Sequence, residues 1–187
     1  MLRPVVVIVA VACMITVGVV GLASATEQNA TERNASERNA AGQDEPDNIR
    51  AVIIRDHDGD VLASLPLCGD RFAVSYRNSI YGTVAEERYV ALPDGRYRLA
   101  QIAADQLAVL EEYYAVPGPP TRANNGDRRL WVVPPDPDHP AVFKDLSIAA
   151  TDLGERTLYI PGSPPLALWQ LVEDKNPFVV LEIKENP

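Results

Sequence analysis

The chain has 187 residues, a formal net charge of −9 and a pI near 4.7. A surface of that sign repels nucleic acid and anionic lipid, which sets both aside as partners. Two cysteines and two histidines are too few for a disulfide framework or a histidine-rich metal centre.

Residues 1–25 carry one early basic residue, Arg3, then an apolar run from Val5 to Leu22, and close on Ala23-Ser24-Ala25. Small residues at that spacing are what a signal peptidase accepts. The stretch reads as a signal peptide or, because about 18 apolar residues is near the lower limit for spanning a bilayer, as an uncleaved membrane anchor. On either reading the remainder is exported, to the periplasm or the cell surface. Cys13 follows Ala10-Val11-Ala12, a loose match to a lipid-attachment site, but the apolar run continues past it where a mature lipoprotein turns polar. Cys68 is then the one cysteine of the mature domain, expected to be a small buried hydrophobe without an internal disulfide.

Residues 26–50 repeat a five-residue theme, EQNAT, ERNAS, ERNAA, and hold no Val, Leu, Phe or Tyr. Such a segment buries too little apolar area to offset the entropy of ordering it, so a disordered polar linker is expected. Asn29-Ala30-Thr31 and Asn34-Ala35-Ser36 fit the glycosylation acceptor pattern.

Residues 51–187 read as a single all-β domain, a β-sandwich or barrel-like fold, because turn signals arrive about every eight to twelve residues with little convincing helix between them. AVIIRDHDGDVLASLPL predicts two strands about Asp58-Gly59, and the acidic turn there lacks the length and terminal glutamate of a calcium loop. Phe72, Val74 and Tyr76 alternate with Arg71, Ala73, Ser75 and Arg77, and a second run follows from Glu87 to Leu92. Pro93-Asp94-Gly95 turns the chain into a strand from Tyr97 to Ala104. Residues 103–114 are ambiguous: Leu107, Leu110 and Tyr114 have helical spacing, while a strand entered through a turn at Asp105 is the reading adopted. Val116 to Pro120 ends that element, since the prolines remove backbone donors. A turn at Asn124 to Asp127, a strand at Leu130 to Val133 and a proline-rich loop with a solvated His139 come next. The last third offers strands at 146–150, 157–160, 166–172 and 178–183.

The densest set of specific polar side chains lies around the central pair: Tyr76, Asn78, Ser79, Thr83, Glu86 and Glu87. As a candidate ligand-binding site they would line a polar pocket at one end of the sandwich. As structure, Asn78, Ser79 and Thr83 would cap a turn, and Glu86 and Glu87 would pair with arginines such as Arg77 or Arg88. Ser79 lacks a nearby histidine and a G-x-S-x-G elbow, so it is a poor nucleophile. Glu86 and Glu87 are strand neighbours that point to opposite faces, so they cannot flank one bond.

Tyr76-Arg77-Asn78-Ser79-Ile80, Thr83 and Glu86-Glu87 resemble the opening motif of an exported family, domain of unknown function eighteen-fifty, whose genes are commonly met beside TAXI-type TRAP transporters. The later order is similar too: a Gly/Pro stretch, then strands like LSIAA, RTLYIPG and LALWQLV, so that the resemblance spans residues 51–184. Two positions depart from the family pattern, Asn78 in place of histidine and Val84 in place of proline. Asparagine hydrogen-bonds but shuttles no proton near neutral pH. The resemblance therefore implies a non-catalytic extracytoplasmic accessory or ligand-binding protein, with TRAP transporter subunits or a small solute as partners and no cofactor or metal. The alternative is an extracytoplasmic hydrolase with an unrecognised site.

Overall fold

The computed structural model describes residues 50–114 and 118–185 and, ahead of them, the backbone of Val7–Ile8 alone. The expected signal or anchor, the linker and its glycosylation triplets otherwise lie outside the described residues.

The strands are β1 (Val7–Ile8), β2 (Arg50–Arg55), β3 (Val61–Pro66), β4 (Arg71–Arg77), β5 (Val84–Ala91), β6 (Tyr97–Ala104) and β7 (Thr121–Arg122). They continue with β8 (Trp131–Val133), β9 (Val142–Phe143), β10 (Asp145–Ala149), β11 (Thr157–Tyr159), β12 (Leu166–Ala167) and β13 (Phe178–Glu185). One sheet runs β1-β3-β2-β13-β10; the other runs β12-β11-β4-β5-β6-β8-β7, with β9 also pairing β6. Apart from the short parallel contact of β1 with β3, the pairings are antiparallel. The two sheets pack face to face, and the expected all-β sandwich is the fold.

Alternation explains the core. Val52, Ile54 and Leu65 point inward from the first sheet; Phe72, Val74, Tyr89 and Tyr97 meet them from the second. Each such side chain, once buried, contributes about 1.5–3 kcal/mol of transfer free energy. Phe72 stacks on Tyr89 at 5.2 Å between ring centroids, and Tyr97 meets both rings edge-on. The Tyr97 hydroxyl donates to the Leu181 carbonyl at 2.9 Å, so one phenol ties the two sheets across their core.

The turns follow their chemistry. At the β2–β3 connection the Asp56 carboxylate accepts from the backbone N–H of Asp58 (3.0 Å) and of Asp60 (2.8 Å), and Gly59 takes φ +87°. The carboxylate is consumed by the turn, which is the plain turn expected there.

Four local expectations need correction. β5 begins at Val84 rather than Glu87, because Val84 and Ala85 already pair with Arg77 and Tyr76. Residues 105–114 form no strand: after Ala104 the chain bends into a π-helical turn, Val109–Tyr113, whose buried Val109 and Leu110 pack with Tyr76, Ala85 and Ile102. Tyr114 closes that turn, its N–H donating to the Val109 carbonyl at 3.2 Å, an i→i+5 bond that is neither the strand nor the regular helical period. Residues 166–172 form only two residues of strand before a 3-10 turn, Leu168–Gln170, with Leu168 buried beneath it. Finally, Cys68 is half-buried and disulfide-bonded, not the small buried hydrophobe without a disulfide that was expected.

Candidate functional site

Strand β5 divides the chemistry. Successive side chains of a strand point to opposite faces, so Glu86 and Arg88 lie on the outer face of the second sheet while Glu87 and Tyr89 lie on its inner face.

On the outer face Glu86 is fully buried. A buried carboxylate is tolerated only with compensating charge and hydrogen bonds, and three arginines supply them. Arg88 Nε donates to Glu86 Oε1 at 2.7 Å; Arg128 donates through Nε to Oε2 at 3.0 Å and through Nη2 to Oε1 at 2.8 Å. Arg129 Nε lies 3.7 Å from Oε2 and is a buried N–H without a hydrogen-bond acceptor, while its Nη1 donates to Asp105 at 2.8 Å. Arg88 is held further by Gln101 Oε1 at 2.7 Å and by both oxygens of Asp127, at 2.9 and 2.5 Å. That fork keeps the Asp127 carboxyl below its ordinary range, chiefly through the Arg88 hydrogen bonds, and raises Arg88 in return.

The loop that delivers these groups is built by its own turn. Asp127 N–H donates to the Asn124 carbonyl at 3.1 Å, Gly126 takes φ +88°, and Arg129 N–H returns to Asp127 Oδ1 at 2.9 Å. Residues 124–129 thereby fold over the sheet and lay the Arg128 guanidinium on the Tyr159 ring, 4.5 Å from its centroid.

Two hollows flank this bar. The larger, of ≈ 540 Å³, is lined by Arg71, Arg88, Asp127 and Arg128 and by Tyr159, Ile160, Pro161 and Ser163. The smaller, of ≈ 210 Å³, lies beside Ser75, Arg77, Arg129, Glu155 and Trp169. Tyr159 borders both.

On the inner face Glu87 ends a chain of phenols. Tyr76 donates to Tyr114 at 3.0 Å, Tyr114 to Glu87 Oε1 at 2.8 Å, and Tyr89 to Glu87 Oε2 at 2.7 Å. Burial first, and the neighbouring Glu87 charge second, push the Tyr89 and Tyr114 hydroxyls far above their usual range. Burial also raises Tyr76. The chain lies between the main core and the cluster closed by the π-helical turn, and fixes Tyr114 against β4 and β5.

The six residues singled out in the sequence are thus divided among three places. Tyr76 and Glu87 are joined through Tyr114 inside the sandwich, and Tyr76 also borders the smaller hollow. Glu86 is behind the larger groove. Asn78 is buried in the β4–β5 turn, where its Oδ1 accepts from Ile80 N–H (3.0 Å) and Tyr81 N–H (3.2 Å). Ser79 is exposed on that turn. Thr83 supplies the carbonyl that receives the Asn78 N–H at 2.8 Å, and its hydroxyl is buried without a partner. Arg77 pairs with Glu155 at 2.7 Å rather than with either glutamate of β5.

Sequence reasoning passed over Arg71, Arg128 and Tyr159. The signal available was the Arg128-Arg129 doublet directly behind an Asn-Asn-Gly-Asp turn in an acidic chain, which marks two cations presented on a sharp bend. His139 is exposed, its Nδ1 2.8 Å from Asp136 Oδ2. Among the described residues no three His, Cys, Asp or Glu side chains gather as a metal-holding group.

No family model, curated protein or solved structure matches the chain.

Proposed function

We propose that the folded domain is a non-catalytic, extracytoplasmic binding module that takes a small solute in the larger groove on the outer face of the second sheet. As the resemblance at Tyr76–Glu87 implies, it would act as an accessory to a TRAP-type uptake system. The observation that carries this reading is the groove itself. Its volume of ≈ 540 Å³ falls within the range of small-molecule sites, and its polar groups are held in place before any ligand arrives. Arg88 is fixed by Glu86, Gln101 and Asp127, and Arg128 by Glu86 and the Tyr159 ring. Preorganisation of that kind lowers the entropic cost of binding.

The hydrolase reading draws no support from the carboxylates. Glu86 is enclosed by guanidiniums on one face and Glu87 by phenols on the other, so neither is free to activate water at a shared substrate.

The test is a thermal-shift screen of the full chain against sugars, amino acids and organic acids, run beside Ser163→Trp, which fills the groove without changing its charge. The reading expects solutes that raise the melting temperature of the wild type and leave the variant unmoved. Equal shifts in both proteins, or turnover of a substrate that disappears in Glu87→Ala, would overturn it.

A further inference from the structure

We infer that the ligand of this groove is a small anion, an oxyacid group on an apolar or aromatic body, bound through Arg71 and Arg128 against Tyr159. This rests on the reading of the groove as the binding surface and adds the chemical class of what enters it.

The charge is the first argument. In a chain of net charge −9, the groove wall gathers the guanidiniums of Arg71, Arg88 and Arg128 against the single carboxylate of Asp127, with Glu86 sealed behind. Within the lining three guanidiniums stand against one carboxylate, with Glu86 behind it and Asp70 beside Arg71 supplying counter-charge, so what the groove offers a small anion is guanidinium donors rather than a net positive field.

Donor inventory is the second. Arg88 spends its Nε and both Nη atoms on Glu86, Gln101 and Asp127. It stiffens the wall and has little left for a ligand. Arg128 spends Nε and Nη2 on Glu86, yet its side chain remains 47 % exposed. Its Nη1 edge is the one free for an incoming acceptor. Arg71 is 77 % exposed, with Asp70 only loosely near at 3.8 Å. Two guanidiniums with unspent donors face one groove, the arrangement that takes a carboxylate or phosphoryl oxygen pair.

Across Ala73 from Arg88 the groove wall is Tyr159 and Pro161, with Ser163 beside them, while the Ile160 side chain is turned into the core. A ligand that satisfied only the arginines would leave this wall wet, so the body attached to the acid group is apolar or flat enough to cover it.

The experiment is a backbone amide NMR titration of the full chain with three probes of one shape: benzoate, phenyl phosphate and benzyl alcohol. Saturable shifts at Arg71, Gly126, Arg128 and Ser163 with benzoate or phenyl phosphate, absent with benzyl alcohol, are the expected result. Whichever anion binds more tightly separates a carboxylate from a phosphoryl ligand. Arg71→Gln, which breaks no close ion pair, is expected to weaken the bound anion about 3- to 10-fold, and Arg128→Gln about 10-fold or more. If benzyl alcohol binds as well as the anions, and Ser163→Trp abolishes all three, the groove stands as the site and the anion assignment fails. If none of the probes moves the groove resonances up to tens of millimolar, or Arg71→Gln leaves anion affinity unchanged, the assignment fails as well. Shifts that Ser163→Trp does not affect place binding elsewhere, and the groove reading falls with it.

Discussion

Glu86 and Glu87 are adjacent in the chain, yet their carboxylates share no partner. Glu86 accepts from Arg128 at 2.8 Å on the outer face of the second sheet, and Glu87 accepts from Tyr114 at 2.8 Å on the inner face. One residue of register separates the groove from the core.

That separation predicts two different failures. Glu86→Ala removes the acceptor that Arg88 and Arg128 share, while Arg88 keeps Asp127 and Arg129 keeps Asp105, and is expected to cost about 1–3 kcal/mol in urea unfolding. Tyr114→Phe removes one donor from Glu87 and one acceptor from Tyr76, and is expected to cost about 1–3 kcal/mol while leaving the outer face intact. A Glu86→Ala variant as stable as the wild type would contradict the account of the arginine cluster.

Asn78 is expected to behave as a turn residue. Its Oδ1 holds two backbone N–H groups from within a buried setting, so Asn78→Ala should lower stability by about 1–3 kcal/mol. Ser79→Ala, on the exposed tip of the same turn, should stay within about 0.5 kcal/mol. The measurement is the midpoint of chemical denaturation at constant m. Equal effects at the two positions would remove the cap from the explanation.

The buried phenols make a pH prediction. Tyr76, Tyr89, Tyr97 and Tyr114 are all raised above the ordinary value of 10.0 by burial. Their contribution to stability is fully present below pH 10.0 and is lost as the pH climbs towards the folded-state values. Ultraviolet titration should therefore show these phenolates forming only with cooperative alkaline unfolding, whereas in denaturant they form near pH 10.0. Four hydroxyls ionising smoothly in the folded chain near that pH would contradict the inner-face network.

Asp127 carries the opposite sign. Its folded value lies below the ordinary 3.8 because of Arg88, so the pairing stabilises above the unfolded value and is lost as pH falls through the folded one. Asp127→Asn should accordingly be less stable than the wild type at neutral pH, with the gap closing below pH 3.8. A gap that stays constant down to pH 2 would show that the Arg88 fork is not what anchors the loop.

Much of the fold was legible because its determinants are local. Alternation at Phe72, Val74 and Tyr76, the Asp58-Gly59 turn and the Pro93-Asp94-Gly95 turn each act within a few residues, and the strands they define are present. Residues 103–114 misled because two periods fit them and neither is the one adopted: Val109–Tyr113 is a π-helical turn whose Val109 and Leu110 are buried with Tyr76, Ala85 and Ile102, residues distant in sequence. Residues 166–172 misled for a related reason: Leu168 is buried by turning inward under β11, not by continuing a ladder. The groove was least legible of all. Arg71, Arg88, Arg128 and Tyr159 come from four separate segments and meet because β11 and β5 flank β4 in a register that sets Tyr159 and Arg88 on either side of Ala73. Sequence spacing holds no record of that register.

The comparison that tests the account most directly is the benzoate dissociation constant of two variants at a temperature where both are fully folded. Tyr114→Phe disturbs the core network that includes two of the residues first singled out, Tyr76 and Glu87; Arg128→Gln disturbs the groove. The account predicts an unchanged constant in the first and one raised about 10-fold or more in the second. The reverse pattern, with affinity lost in Tyr114→Phe and kept in Arg128→Gln, would contradict it.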